Sequence, residues 1–115
     1  MSYLLLIMEP HGQRAGRNAE EGTRAYESML EFAADLKSRG ILRATESLKT
    51  GGVRVATQDG KRVRIDGPFA ETKELVGGFF LLDCDDEEQA IAIAGQCPAA
   101  AWATVEVREL GPCYM

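Results

Sequence analysis

The sequence predicts an α+β domain in which two helices cover one face of an antiparallel sheet. Residues 3–8 and 75–83 are almost continuously apolar, which is typical of strands buried on both faces. Each is followed by a segment with apolar residues at helical spacing and then by a half-polar strand. A chain of 115 residues is large enough for one core but not for two, so we expect a single domain over residues 1–115.

The first helix is predicted over residues 23–39. Thr23 can cap its N-terminus, and Gly40 can end it in a left-handed conformation. Its apolar positions recur every three or four residues: Tyr26, Met29, Leu30, Ala33 and Leu36. Residues 13–21, which include glycine, arginine and asparagine, are predicted to form the loop before this helix.

The second helix is predicted to begin after Asp85. With Glu88 three residues further on, Asp85 resembles a capping box in which an aspartate replaces the usual hydroxyl residue. Apolar residues then recur at helical spacing, at Ala90, Ile93, Ala94 and Cys97. Pro98 cannot continue the helix, so we expect the helix to end there.

Residues 41–47 and 103–110 are predicted to form the edge strands of the sheet. In the second of them, Val105 and Val107 alternate with polar residues, which is typical of a strand with one exposed face. The two continuously apolar strands then lie in the centre, and the four strands take the order 4-1-3-2. This order defines the ferredoxin-like, or split βαβ, arrangement.

A β-hairpin is predicted as an insertion, formed by Val53–Thr57 and Arg62–Asp66. Its turn is either the two-residue Asp59-Gly60 turn or a three-residue loop over residues 58–60 with Gly60 at positive φ. The three-residue loop collects the apolar residues on one face: Val53, Val55, Val63 and Ile65. Since side chains alternate strictly along a strand, we predict the three-residue loop.

Two helices can cover only one face of this sheet. The apolar residues of the other face would form a large exposed patch unless something else covers them. A second copy of the chain is the simplest cover, so we expect a homodimer packed sheet to sheet.

Composition excludes several classes of protein. The net charge of −5 and pI near 4.9 argue against direct nucleic-acid binding. The apolar run 3–8 is too short for a membrane span and follows no basic region, so neither a membrane segment nor a signal peptide is expected. Three widely spaced cysteines fit a reducing cytoplasm, and a single histidine without ligand spacing gives no metal or other cofactor site.

The stretch 66–74, DGPFAETKE, holds more polar residues than a turn needs. Gly67, Pro68 and Phe69 can form a turn and plug the end of the core. The remaining residues either form a solvated loop or line a site at the end of strand 1. In that site His11 would be a general base oriented by Asp66 or Glu71, with His11 and Asp66 as the candidate catalytic residues. The candidate binding residues are Glu46, Arg64, Phe69, Glu71, Thr72, Lys73 and Glu74.

This stretch, continued as RVRIDGPFAETKELVGGFFLLD, resembles the DGPF-domain proteins of the YCII-related family. The resemblance extends over YLLLIM near the start, CPAA at the end of the second helix and VEVRE near the end of the chain. It implies a bacterial protein with a dimeric α/β barrel built on a ferredoxin-like fold. Some similar domains are fused to, or encoded beside, extracytoplasmic-function sigma factors.

Two functions follow as expectations. YCII-like relatives are proposed to use a His-Asp pair with the histidine on the first helix, whereas the candidate in this chain, His11, precedes the helix. The protein therefore either binds or transforms a small molecule in a cleft at the DGPF loop, or acts as a non-catalytic regulatory module linked to a sigma factor. A cavity with polar groups at the loop would favour the first function, and a flat surface would favour the second.

The predicted sheet-to-sheet packing can be tested by mass. Sedimentation or light scattering should give about twice the chain mass of 12.5 kDa, because a second copy has to cover the apolar sheet face. A stable monomer at micromolar concentration would contradict this prediction.

Overall fold

The computed structural model describes residues 1–67, 69 and 71–114. Within these residues the chain forms six strands and two α-helices: β1 (Ser2–Pro10), α1 (Ala19–Ser38), β2 (Leu42–Ser47), β3 (Val53–Gln58), β4 (Lys61–Asp66), β5 (Glu74–Asp83), α2 (Glu87–Gln96) and β6 (Thr104–Glu109). Short 3-10 helices cover Arg14–Gly16 and Pro98–Ala101. The predicted α+β class is confirmed. Pro68, which the sequence places in a turn, lies outside the described residues.

Four strands form one antiparallel sheet in the order β2-β5-β1-β6, and β3 and β4 form a separate two-stranded sheet. The central strand β1 pairs with β5 on one side and β6 on the other, so Leu5 lies between Phe80 and Val107. The two continuously apolar segments are therefore the two central strands.

The core lies between one face of this sheet and both helices. Along β1 the inward residues are buried, and the outward residues between them are only half-buried. Leu5, Leu36 of α1 and Leu82 of β5 have no exposed surface, and Ile93 of α2 joins the same cluster. Complete burial of one such side chain contributes about 1.5–3 kcal/mol relative to exposure, so these contacts fix both helices on the same face.

The opposite face of the sheet, which we call the open face, carries outward residues of β1 and β5. They are Leu4, Leu6, Met8, Phe79 and Leu81. These side chains are half-buried, as neighbours shield one another, and among the described residues no helix covers them. In a single chain the central strands are thus buried on one face, not on both as their apolar sequences predicted.

Helix α1 starts four residues earlier than predicted. Asn18, not Thr23, is the N-cap, and its side-chain oxygen accepts a hydrogen bond from the Glu21 backbone N–H at 2.8 Å. The Glu21 carboxylate in turn accepts from the Asn18 amide at 2.7 Å. This reciprocal pair satisfies an end N–H of the helix, and it extends the helix into part of the predicted loop. Gly40 ends the helix with φ of 72°, as predicted.

The N-cap of helix α2 also differs from the predicted one, by a single residue. Its N-cap is Asp86, not Asp85, and the Asp86 carboxylate accepts from the Gln89 N–H at 2.9 Å. The Gln89 side chain accepts from the Asp85 N–H. Gln89 therefore takes the place that the sequence pattern gave to Glu88.

The predicted register of the hairpin is wrong. Val55 pairs with Arg64, and Gln58 pairs with Lys61, so the turn contains two residues. Asp59 and Gly60 have φ of 51° and 76°, which is the conformation of a type I′ turn. Alternation does not decide the register because neither face of the hairpin is buried in a single chain; Val55 is 62% exposed. The expected positive φ of Gly60 is confirmed.

The three cysteines are free, with Cys84 and Cys97 buried and Cys113 exposed. Burial raises the pKa of the Cys84 and Cys97 thiols, which lowers the thiolate fraction of both at neutral pH. Among the described residues no helix is long and apolar enough to cross a membrane.

We therefore expect the native protein to expose a single reactive thiol. A chromogenic disulfide reagent at mildly alkaline pH should modify Cys113 rapidly, because only thiolates react and Cys113 is accessible. Cys84 and Cys97 should react only after unfolding in denaturant. The Cys113→Ser variant is the control and should lose the rapid phase; rapid modification of all three native thiols would contradict the described burial.

Candidate functional site

An ion pair lies near the C-terminal end of β1, on the buried face of the strand. Glu9 continues the inward alternation of Tyr3, Leu5 and Ile7, and it is only 5% exposed. Arg14 donates from Nε to Glu9 Oε2 at 3.1 Å and from Nη2 to Glu9 Oε1. Both carboxylate oxygens are therefore occupied by one guanidinium, in the bidentate geometry that arginine favours.

Arg14 also holds two other segments. Its Nη2 donates to the Gly77 carbonyl at 3.0 Å, and its Nη1 donates to the Leu48 carbonyl at 2.6 Å. The Leu48 N–H donates to the same Gly77 carbonyl at 2.9 Å. One side chain thus joins the end of β1, the middle of β5 and the segment after β2.

The Gly77-Gly78 pair provides the space for this arrangement. Ile7 pairs with Gly78 and Met8 with Val76, so Gly77 is the extra residue of a β-bulge. A Cβ atom at Gly77 would overlap the Glu9 carboxylate, and one at Gly78 would lie 2.9 Å from the Glu46 carbonyl oxygen. Both positions therefore require glycine for close packing.

A cavity of about 430 Å³, which we call the helix cavity, lies between α1 and the sheet. Its charged and polar lining includes Glu9, Arg14, Arg17, Asn18 and Thr45. Its apolar lining includes Ile7, Tyr26, Met29, Leu30, Phe80 and Trp102. The cavity therefore has a charged end beside the Glu9–Arg14 pair and an apolar remainder.

Gly22 lies inside α1 and on the wall of the helix cavity. A glycine in a helix interior costs about 1 kcal/mol relative to alanine. A Cβ atom at Gly22 would meet nothing within 4 Å, so packing does not require glycine here. The missing side chain instead leaves the cavity wider at this point.

A second cavity of about 430 Å³, the loop cavity, lies beside the DGPF loop. Its lining includes Met8, His11, Leu48, Arg54, Phe69, Thr72 and Glu74. Because Met8 alternates with Ile7 and Glu9 along β1, the two cavities lie on opposite faces of the sheet.

The structure does not join the candidate pair His11 and Asp66. The Asp66 carboxylate accepts from Arg64 Nε at 3.0 Å, and both side chains are exposed. His11 lines the loop cavity, and its backbone N–H donates to the Lys73 carbonyl at 2.9 Å. Among the described residues no hydrogen bond or ion pair connects the His11 side chain to a carboxylate.

The remaining candidates of the loop contact one another. Arg54 lies 3.7 Å from the centroid of the Phe69 ring and pairs with Glu71 at 3.2 Å. The Thr72 hydroxyl donates to the Phe69 carbonyl at 2.8 Å. Glu74 lines the loop cavity together with His11. Three of the loop candidates, Phe69, Thr72 and Glu74, therefore share one cavity wall with His11.

Three charged residues that line the helix cavity, Glu9, Arg14 and Arg17, are not among the site residues predicted from the sequence. The signal was present in β1, because a glutamate at position 9 falls on the buried side of the alternation of residues 3, 5 and 7. A buried carboxylate needs a cation, and Arg14 is the first one after it in the chain. Of the predicted candidates, Glu46 lines the helix cavity.

Together these features define a small α+β domain with a ligand-sized cavity under its first helix. The sequence model of the YCII-related domain matches residues 1–113, so the chain belongs to the YCII-related family, as its resemblance indicated. A relative from Rhizobium meliloti (strain 1021), called uncharacterized protein R00369, is 29% identical over 96 residues. The match covers 82% of this chain and 77% of that protein.

We expect Gly77→Ala to destabilise the protein by about 1–3 kcal/mol, the usual cost of forcing an extra methyl into a packed site. The added Cβ must displace the Glu9 carboxylate and with it the Arg14 hydrogen bonds. Chemical denaturation would measure the change. Gly51→Ala is the matched control, since a Cβ there meets nothing within 4 Å. Equal effects of the two substitutions would show that the close packing at Gly77 is unimportant.

Proposed function

We propose that this YCII-related protein binds a small molecule in the helix cavity. The observation that carries this proposal is a cavity of about 430 Å³ with a charged, hydrogen-bonded end and an apolar remainder. Binding sites for small ligands are typically clefts of about 300–1,000 Å³, mostly apolar, with a few fixed polar groups. The dimensions and the lining of the helix cavity fit this class.

The cavity wall on α1 supports the proposal. Five lining residues recur at helical spacing and share one face of the helix: Ala19, Gly22, Tyr26, Met29 and Ala33. Three of these five side chains are alanine or glycine, although this face points toward the sheet, where larger apolar side chains would bury more surface. Open space is thus retained at an energetic cost.

The Glu9–Arg14 pair supports the proposal by fixing the polar end. A ligand gains affinity when the groups that receive it are already held in place. Arg14 makes four hydrogen bonds to Glu9, Gly77 and Leu48, so its guanidinium is oriented before any ligand arrives. The carboxylate of Glu9 has the role of holding Arg14.

The two functions expected at the DGPF loop differ in the surface that they need. A regulatory module linked to an extracytoplasmic-function sigma factor would present a flat, filled surface there, whereas the described residues line the open loop cavity. The loop cavity opens on the face that a second chain would cover. The loop cavity favours ligand binding over the regulatory alternative, with polar groups of His11 and Thr72 and the aromatic ring of Phe69 in its wall.

The ligand-binding form that we propose is a homodimeric α/β barrel on a ferredoxin-like fold. The strand order β2-β5-β1-β6 and the two helices on one face support the fold. The half-buried apolar residues of the open face support pairing with a second sheet. The hairpin β3–β4 supports it too, since an isolated two-stranded hairpin is marginally stable in water.

Charge also favours a second copy as the partner of the hairpin. The hairpin, including its turn, carries four basic and two acidic residues within a chain whose net charge is −5: Arg54, Lys61, Arg62 and Arg64, and Asp59 and Asp66. Val53, Val55 and Ile65 expose apolar surface between these charges. A basic, partly apolar hairpin is complementary to the acidic remainder of another chain.

Trp102 provides a direct test of the helix cavity, because it lines the cavity and is the single tryptophan of the chain. The neutral fluorescent probe N-phenyl-1-naphthylamine should bind and accept energy from Trp102. Gly22→Phe places a ring in the cavity and should abolish this transfer. Gly95→Phe in α2 is the matched control, since Gly95 is helical and lines neither cavity.

Three results would contradict the proposal. The first is the absence of probe binding, and the second is binding that Gly22→Phe does not change. The third is an equal loss of binding in Gly95→Phe, which would attribute the loss to general damage of the helices. Circular dichroism melting of both variants separates that last case from specific blocking.

A further inference from the structure

We infer that the ligand of the helix cavity carries a single acidic group, which binds Arg17. This inference rests on the proposed function and adds the chemical class of the ligand. The class is a small apolar molecule with one carboxylate, sulfonate or phosphate group.

The charges of the cavity give the first argument. Glu9 and Arg14 compensate each other through two hydrogen bonds. Glu46 also lines the cavity, but it pairs with Phe79, which alternates with the core residue Phe80. Because paired residues of neighbouring strands share a face, the Glu46 side chain lies on the open face with that of Phe79. Arg17 remains as the uncompensated charge of the lining.

The position of Arg17 gives the second argument. Its guanidinium carbon lies 5.4 Å from the centroid of the Trp102 ring, so the aromatic face holds it at the cavity wall. Among the described residues no carboxylate lies within 4 Å of it, although the chain has 18 acidic and 13 basic residues. A guanidinium is planar, and one that lies over an aromatic face can still direct N–H donors at a planar or tetrahedral anion.

The start of α1 adds to the positive potential on this side. Ala19, the first residue of the helix, lines the cavity, and helix N-termini favour negative charge. The two acidic residues of the first turn have partners of their own. Glu20 pairs with Arg24 at 2.8 Å, and Glu21 accepts from Asn18 at 2.7 Å. They therefore occupy positions other than the anion site.

The apolar remainder of the cavity limits the ligand to one acidic group. Met29 and Leu30 from α1 face Ile7 and Phe80 from the sheet, and these four side chains offer no hydrogen-bond donor to a second charge. A second charge buried there without a partner would be costly. An apolar body with one charged end matches this distribution.

Two dyes that differ by one sulfonate test the inference. The anionic probe is 1-anilinonaphthalene-8-sulfonate, and the neutral probe is N-phenyl-1-naphthylamine, which has the same rings. The wild-type protein should bind the anionic dye about tenfold more tightly, as expected for one charge-assisted hydrogen-bonded contact. Arg17→Met should remove this preference, so that the variant binds the two dyes with equal affinity, and methionine can still pack on Trp102.

The variants separate the two proposals. Gly22→Phe should block both dyes, and the part of the anionic dye signal that it leaves measures binding elsewhere on the surface. Equal affinity of the two dyes in wild-type protein would overturn the inference and leave the cavity as a ligand site. A tenfold preference that persists in Arg17→Met would also overturn it. If Gly22→Phe blocked neither dye, that result would overturn the proposed function itself.

Discussion

The structure depends on a single constraint, the burial of the Glu9 carboxylate near the C-terminal end of β1, on the face that points to the helices. A buried charge without a partner costs several kcal/mol, so the chain must bring a cation to it. Arg14 supplies that cation, although about a third of its own side chain is exposed. Gly77 supplies the room, because any side chain there would overlap the carboxylate. The β-bulge, the glycine pair and the loop after β1 thus follow from one residue.

The same constraint shapes the cavity under α1. Since Arg14 is held against Glu9 and the Gly77 carbonyl, the segment after β1 is fixed on the sheet before the helix begins. The helix then starts at Ala19, and Arg17, two residues before it, lies over the Trp102 ring. Small residues on the inner face of the helix leave space where the polar end is already organised. The Asn18 cap that starts the helix, the small residues on its inner face and the Glu9–Arg14 pair together form the helix cavity.

Much of the fold could be predicted because hydrophobic periodicity reports which faces are buried. The strands, both helices and the inward positions Val105 and Val107 follow from that periodicity. The hairpin register could not be predicted in this way, because without a buried face the Asp59-Gly60 turn decides it. The density of polar residues predicted a site at residues 66–74, but Arg64–Asp66 and Arg54–Glu71 are exposed pairs, worth about 0–1 kcal/mol each. The informative signal was a single polar residue on a buried face.

The two cavities lie on opposite faces of the sheet but share one structural element. Leu48 lines the loop cavity, while its carbonyl accepts from Arg14 and its N–H donates to the Gly77 carbonyl. The backbone of Leu48 thus belongs to the network that orders the charged end of the helix cavity. A hydrogen bond to a charged donor is stronger than a neutral one, so the position of Leu48 is set largely by Arg14. Met8 of the open face and Leu48 both line the loop cavity, so the network that orders the charged end of the helix cavity extends to the open face.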